Sequence, residues 1–226
     1  MGLIPAKGGS TRLPRKNILM LGEKPLLLWA GDALKASGIC SRIVVSTEDD
    51  EIADIAAQGG LEVPFLRPKE LACDPAGVVQ VALHCLELLK TRGEYYDTLV
   101  ITLPTSPFRT SQDLKNAYQL FIDRKASFLL SVSRFDHAPF SAMKIENGIA
   151  MPWFPEYFGR KSQEMPNAFR PNGALHILDI PAFEETRDYL SQPLYAYEMP
   201  WPRGMDIDTA EDFAMAEALL RAGIIA

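Results

Sequence analysis

A chain of 226 residues, 47% hydrophobic and 23% charged, is long enough to close a full core and too apolar to stay disordered. Its 23 Lys and Arg against 29 Asp and Glu leave a net charge of −6. That balance excludes the broad basic field a nucleic-acid polymer requires, but allows a small anionic substrate in a locally basic pocket. No apolar run reaches the ~18–20 residues that cross a bilayer, so no membrane association is expected, and no basic-then-apolar leader opens the sequence.

In chain order, a short strand over residues 2–5 enters a Gly-rich loop; a strand this short reads as a clipped or misassigned start. Residues 42–46 form a β-branched strand, 49–58 a helix and 63–66 another short strand. Apolar residues at Val78, Val81, Ala82, Cys85, Leu88 and Leu89 have helical spacing, which predicts a helix over 74–90 with Asp74 as its cap and Pro75 at its first position. Residues 98–103 read as a buried strand closed by Pro104, 111–123 as a helix and 128–132 as a strand.

The alternation breaks over residues 139–171, where 144–149 has hairpin character around Asn147-Gly148, followed by Trp153, Phe154, Tyr157 and Phe158 among prolines. Strands return at 174–178 and 194–199, and Thr209 caps a last helix over 210–222 that ends at Gly223. The pattern predicts one α/β domain over 1–226, with a mainly parallel sheet, helices on both faces and an inserted arm at 139–171. The three cysteines, Cys40, Cys73 and Cys85, lack metal-ligand or disulfide-framework spacing and read as thiols of a reducing cytoplasm.

The most informative stretch is residues 4–17. It holds four cations, Lys7, Arg12, Arg15 and Lys16, and no acid, around Gly8-Gly9-Ser10 and before Asn17. Backbone amides freed by the glycines and flanked by cations suit a polyphosphate, although neither a Walker A loop nor GxGxxG is present. Near the other end, Asp206 and Asp208 lie two residues apart, so in an extended segment both carboxylates face one side. They either hold a hard cation such as Mg²⁺ or, with Glu211 and Asp212, favour the N-terminus of the last helix. The acidic run 47–51 reads as helix-start stabilisation. Arg67, after the third strand, either holds phosphate or nucleobase oxygens or makes an ion pair. Pro104, Thr105 and Ser106 after the fourth strand could address a sugar or ribose. Arg109 either supports that turn or reaches an acceptor carboxylate. His84, His137 and His176 share no spacing and define no triad.

These segments also carry a resemblance. The loop 4–17 is similar to that of the cytidylyltransferases that activate nonulosonic acids, the CMP-sialic acid synthetase family. Residues 46–53 (STEDDEIA), 67–74 (RPKELACD), 104–109 (PTSPFR), 169–174 (FRPNGA) and 206–209 (DIDT) resemble further family blocks in the same order. The resemblance implies a three-layer, Rossmann-like nucleotide-diphospho-sugar transferase fold and transfer of CMP from CTP to a sialic, legionaminic or pseudaminic type of acid. An acceptor such as 3-deoxy-octulosonate, or a catalytically weakened binding protein, is the alternative.

It further implies that Lys7, Arg12, Lys16, Asp206 and Asp208 carry the chemistry, with Mg²⁺ on the two aspartates. Gly8, Gly9, Ser10, Asn17 and Arg67 would bind nucleotide; Pro104, Thr105, Ser106, Arg170 and Asn172 would face the sugar. The arm would join a homodimer. The chain departs from the family pattern at four places: Lys7 replaces an Arg, Leu103 a Gln, Gly77-Val78-Val79 a Ser/Thr-rich stretch and His176 a Tyr. Because the departures at Leu103 and at 77–79 fall in the two selectivity regions while the metal and triphosphate parts keep the pattern, N-acetylneuraminate is less expected than a bacterial relative.

Overall fold

The computed structural model describes residues 1–225. Its strands in chain order are β1 (Gly2–Pro5), β2 (Met20–Leu21), β3 (Lys24–Pro25), β4 (Ile43–Ser46), β5 (Thr98–Ile101), β6 (Phe128–Arg134), β7 (Met143–Glu146), β8 (Ile149–Pro152), β9 (Phe169–Asp179) and β10 (Leu194–Glu198). Its helices are α1 (Leu26–Ser37), α2 (Asp50–Gln58), α3 (Val78–Thr91), α4 (Ser111–Asp123), α5 (Ile180–Thr186) and α6 (Ala210–Arg221). Six strands build the main sheet in the order β10-β6-β9-β5-β1-β4. Every neighbouring pair is parallel except those made by β9, which runs antiparallel to both β5 and β6.

Alternation along the strands sorts side chains into two cores. On β1, Ile4 faces α1, α2 and α4 with Leu27, Ile52 and Leu114; Leu3 faces α3 and α5 with Cys85, Leu89 and Phe183. The sheet is thus the middle of three layers. Helix α6 closes a third, smaller cluster with Leu21, Leu26, Phe108 and Ile207.

Most expected elements are present, with three corrections. Residues 63–66 are not a strand: the segment touches the sheet edge only through isolated bridges Val44–Glu62 and Thr47–Leu66. Helix α3 begins at Val78, where the apolar spacing begins, and Gly77 is its N-cap, its N–H donating to Gln80 Oε1 at 2.8 Å. Asp74 therefore caps nothing, and residues 73–77 are loop. Strand β9 starts at Phe169, five residues before the strand read from sequence, because Arg134 and Ser133 of β6 pair with Phe169 and Arg170 despite the intervening Pro-Asn-Gly. The arm holds the expected hairpin β7–β8, whose turn residues Asn147 and Gly148 take φ of 52° and 80°.

Candidate active site

Strands β1, β4 and β5 run the same way, so the loops following them open on one edge of the sheet, where open α/β folds take ligands. A cleft of 300 Å³ lies there. One wall is the basic loop, through Lys7, Ser10, Arg12, Lys16 and Asn17; another is the turn after β5, through Leu103, Pro104 and Thr105. Asp206 and Asp208 close the polar side, while Leu71, Ala76, Val78 and Val81 supply an apolar side beside Arg67.

The basic loop is held in shape by one contact across its own length and by others to the acidic run after β4. Asn17 donates from Nδ2 to the Lys7 carbonyl at 2.8 Å, tying the two ends of the loop together. Arg15, in the left-handed backbone region at φ 57°, turns away from the cleft and pairs with Asp49 at 2.5 Å and Glu51 at 2.5 Å. Asp49 also accepts from the Ile52 N–H as N-cap of α2, and Arg15 holds its carboxyl below the ordinary value. Gly8 packs so closely on Asp49 that a Cβ there would lie 2.4 Å from its carboxylate oxygen. Of the four loop cations, Lys7, Arg12 and Lys16 thus serve the cleft, and Arg15 fastens the loop to the acidic run.

The acid pair is placed with equal care. The Ile207 N–H donates to the Thr105 carbonyl at 2.8 Å, docking the 206–208 segment onto the turn after β5. Asp208 receives Lys16 at 2.8 Å and Arg12 at 2.8 Å. Burial pushes the Asp208 carboxyl upward, but these two cations outweigh it and hold it below its ordinary value. Asp206 is pushed up, first by burial and then by the Asp208 and Asp212 charges, against Thr105 and Lys16. Thr209 caps α6, accepting from the Asp212 N–H, while the Asp212 carboxylate accepts from the Asp208 and Thr209 N–H groups at 3.0 and 2.8 Å. The cap and the acid pair are one construction: Asp212 serves the helix and leaves Asp206 and Asp208 facing the cleft.

The cleft brings together Lys7, Ser10, Arg12, Lys16, Asn17, Arg67, Pro104, Thr105, Asp206 and Asp208. Gly8 and Gly9 sit in the loop behind it. Ser106 is buried and donates to the Asn172 carbonyl at 3.3 Å. Asn172 is buried too, receiving Ser131 at 2.5 Å and donating to Ser133 at 2.9 Å. Gly204 crosses directly over this pair: a Cβ there would meet Ser133 Oγ at 2.2 Å. Asn172 therefore braces the segment leading into Asp206. Arg170 is exposed on β9, away from the cleft walls.

Two residues acquire roles that spacing could not resolve. Arg109 is buried beneath the turn and donates to the carbonyls of Ser106 at 2.6 Å and Leu103 at 2.7 Å, so it braces the turn from behind. Burial lowers its pKa to about 9. Arg203 pairs with buried Asp113 at 3.0 Å, joining the start of α4 to the segment before Asp206. The signal for Arg109 was its place just after the turn bounded by Pro104 and Pro107; for Arg203 there was none, since its partner lies 90 residues away.

Two hard carboxylates on one cleft suit a divalent cation. Among the described residues no group of three or more His, Cys, Asp or Glu forms a metal cage. An ion at Asp206 and Asp208 would thus draw its other ligands from water and substrate phosphates, the habit of Mg²⁺. A basic glycine loop facing carboxylates at the carboxyl ends of parallel strands is the arrangement of a nucleotidyltransferase. The chain belongs to the cytidylyltransferase family, whose model, described as "Cytidylyltransferase", matches residues 1–221. It is 31% identical to the pseudaminic acid cytidylyltransferase of Campylobacter jejuni over 222 residues, 97% of this chain and 95% of that one. It is 30% identical to the CMP-N,N'-diacetyllegionaminic acid synthase of Legionella pneumophila over 223 residues, 97% of this chain and 95% of that one. A solved CMP:2-keto-3-deoxy-manno-octonic acid synthetase shares the fold, with a TM-score of 0.73 at 15% identity over 98% of both chains. The chain is an enzyme of this family, and no helix among the described residues is long and apolar enough to cross a membrane.

Proposed function

We propose that the enzyme transfers CMP from CTP to the anomeric hydroxyl of a nonulosonic acid of the pseudaminic, legionaminic or sialic type, releasing pyrophosphate. The observation that carries this reading is the single cleft in which Lys7, Arg12 and Lys16 face Asp206 and Asp208, in a chain whose relatives act on such sugars. The sugar oxygen forms a bond to the α-phosphorus as the bond from that phosphorus to the bridging oxygen breaks, and the oxygen and its phosphates leave as pyrophosphate.

Chemistry of this kind depends on positioning and charge stabilisation. Lys16 and Arg12, now 2.8 Å from Asp208, are the cations a triphosphate would compete for. With the Ser10 backbone and Lys7 they would hold the β- and γ-phosphates and stabilise the departing charge. Asp206 and Asp208 would hold Mg²⁺, which when bound supplies charge neutralisation and lowers the pKa of a coordinated hydroxyl. Thr105, on the wall opposite the basic loop, would orient the acceptor. The apolar Leu103 beside it favours an acceptor with a deoxygenated face there.

The arm at 139–171 would join two copies of the chain, supported by Ile145, Ile149, Trp153 and Phe158 standing exposed on it. The free thiols of Cys40, Cys73 and Cys85 suit a reducing cytoplasm.

The test is pyrophosphate release from CTP with pseudaminic, legionaminic and N-acetylneuraminic acids, with 3-deoxy-octulosonate as a fourth acceptor. Turnover with a nonulosonic acid is expected. Asp206→Asn should lower it by ~100-fold or more and Lys16→Ala by ~10-fold or more. Turnover with 3-deoxy-octulosonate alone, or near-normal rates in both variants, would overturn the reading.

A further inference from the structure

Behind the cleft, one carboxylate joins two walls that sequence places far apart. Glu48 lies two residues past the end of β4 and is the first acid of the acidic run. Its Oε2 receives Arg67 through Nη2 at 2.8 Å and Nε at 3.1 Å, and its Oε1 receives the Gly8 N–H at 2.7 Å. Glu48 does not line the cleft, whereas Arg67 does. The pair is enclosed, with side-chain exposures of 2% for Arg67 and 11% for Glu48. The third nitrogen of the fork, Nη1, points to the Ser46 carbonyl at 3.3 Å.

The backbone on either side is fixed as well. The Arg67 N–H donates to the Thr47 carbonyl, and the Ala6 N–H to the Ser46 carbonyl, at 2.8 and 2.9 Å. One side chain therefore sets both the orientation of a guanidinium on the apolar side of the cleft and the position of the glycine loop on its basic side. A guanidinium this enclosed has few other acceptors, so its direction is dictated by the acid it meets.

We infer that Glu48 is a positioning residue of the nucleotide site, holding Arg67 and the Gly8 loop in a fixed relation so that the two ends of one nucleotide are met together. The inference rests on the nucleotide-binding reading above. Glu48 touches no substrate; it acts through Arg67 with one oxygen and through the loop with the other. Replacing it with Gln keeps an acceptor for Gly8 but turns an amide group toward a buried cation, so the damage falls on Arg67.

A double-mutant cycle with CTP binding as the readout tests this. In calorimetry on the purified full chain, Glu48→Gln should weaken CTP binding by roughly 10- to 100-fold. In an Arg67→Met background the same change should weaken it by less than about twofold, since the group through which it acts is gone. Glu48→Asp keeps the charge but falls one methylene short of spanning both partners, so it should also weaken CTP, and by clearly less in the Arg67→Met background, where only the Gly8 contact is left to lose; it carries the cycle if the Gln variant does not fold. A merely structural Glu48 would lower thermal stability while leaving the CTP affinity of the folded variants at the wild-type value. Unchanged affinity in the folded variants, or an equal loss in both backgrounds, overturns the inference. A wild-type protein that binds no CTP overturns the proposed function instead, so the two failures are distinguishable.

Discussion

Asp208 and His176 show how the same fold treats ionisable side chains in opposite ways. Asp208 is kept charged by two cations that the substrate is expected to claim. His176, on β9, is 6% exposed, packs on Tyr189 at 4.7 Å and has no partner for Nδ1 among the described residues. Burial lowers its pKa from 6.5 to about 4, so it is a neutral core ring at pH 7. The sign of its effect on stability follows. Between the two values the unfolded chain takes up a proton that the folded chain refuses, so folding stability drops as pH falls from about 6.5 to about 4 and levels below that. His176→Phe removes a group with no partner to lose and should flatten this slope by up to about 3 kcal/mol. Urea denaturation at pH 7, 5.5 and 4.5 measures it. The reverse result, a variant as acid-sensitive as the parent, would place the slope on His84 and the carboxylates instead.

At the scale of elements, the hairpin β7–β8 is the place to look for a partner copy. Ile145 and Ile149 remain 74% and 64% exposed, while Phe140, Phe154 and Tyr157 of the same arm already pack on one another at 4.8–5.6 Å. The arm thus has its own internal packing and still presents apolar side chains outward. The Ile145→Asp, Ile149→Asp double variant should shift light-scattering mass from dimer to monomer while leaving the circular dichroism of the domain unchanged. A parent protein that is monomeric throughout would remove the arm's proposed role.

The same hairpin shows what a sequence exposes. Asn147-Gly148 demands a turn with positive φ, Thr209 with Asp212 three residues on demands a helix start, and both were legible because the information is local. The early start of β9 was not, since Phe169 and Arg170 are settled by Arg134 and Ser133 of a distant strand, while the start of α3 turned on a glycine N-cap whose partner, Gln80, lies within the helix itself. The site divides in the same way. The basic loop and the acid pair announce themselves by charge. Asn172 was placed on the sugar side only through the likeness of 169–174 to a family block, and no local signal showed that Ser131 and Ser133 of the adjacent strand enclose its amide. Glu48 was read only as part of a helix-start acid run, because its two partners lie 19 and 40 residues away.

On the scale of the molecule, the net charge of −6 is an average over segregated regions. Residues 4–17 hold four cations and no acid; residues 206–212 hold four acids and no cation. Short contacts inside a cleft are screened by salt less than long-range fields. CTP affinity should therefore change by less than about threefold between 50 and 300 mM salt, where a polymer binder with a similar number of phosphate contacts loses orders of magnitude. Of the two cations on Asp208, Arg12 is 65% exposed and Lys16 13%, so the remaining salt dependence should belong mainly to Arg12. Titrations of the parent and Arg12→Ala at two ionic strengths decide this; a steep salt slope surviving in the variant would contradict it.

The antiparallel strand β9 has a consequence for how the protein is made. Among the described residues it is the strand that pairs the parallel group β4-β1-β5 with the pair β6-β10, and it ends at Asp179. While a ribosome is still extending the chain towards that point, three strands can associate, but β5 keeps an open edge and β6 has no neighbour to join. Closing the sheet must wait for β9 itself, and open strand edges are where nascent chains pair wrongly with one another. Translation speed through residues 128–179 is therefore a lever on the yield of soluble protein.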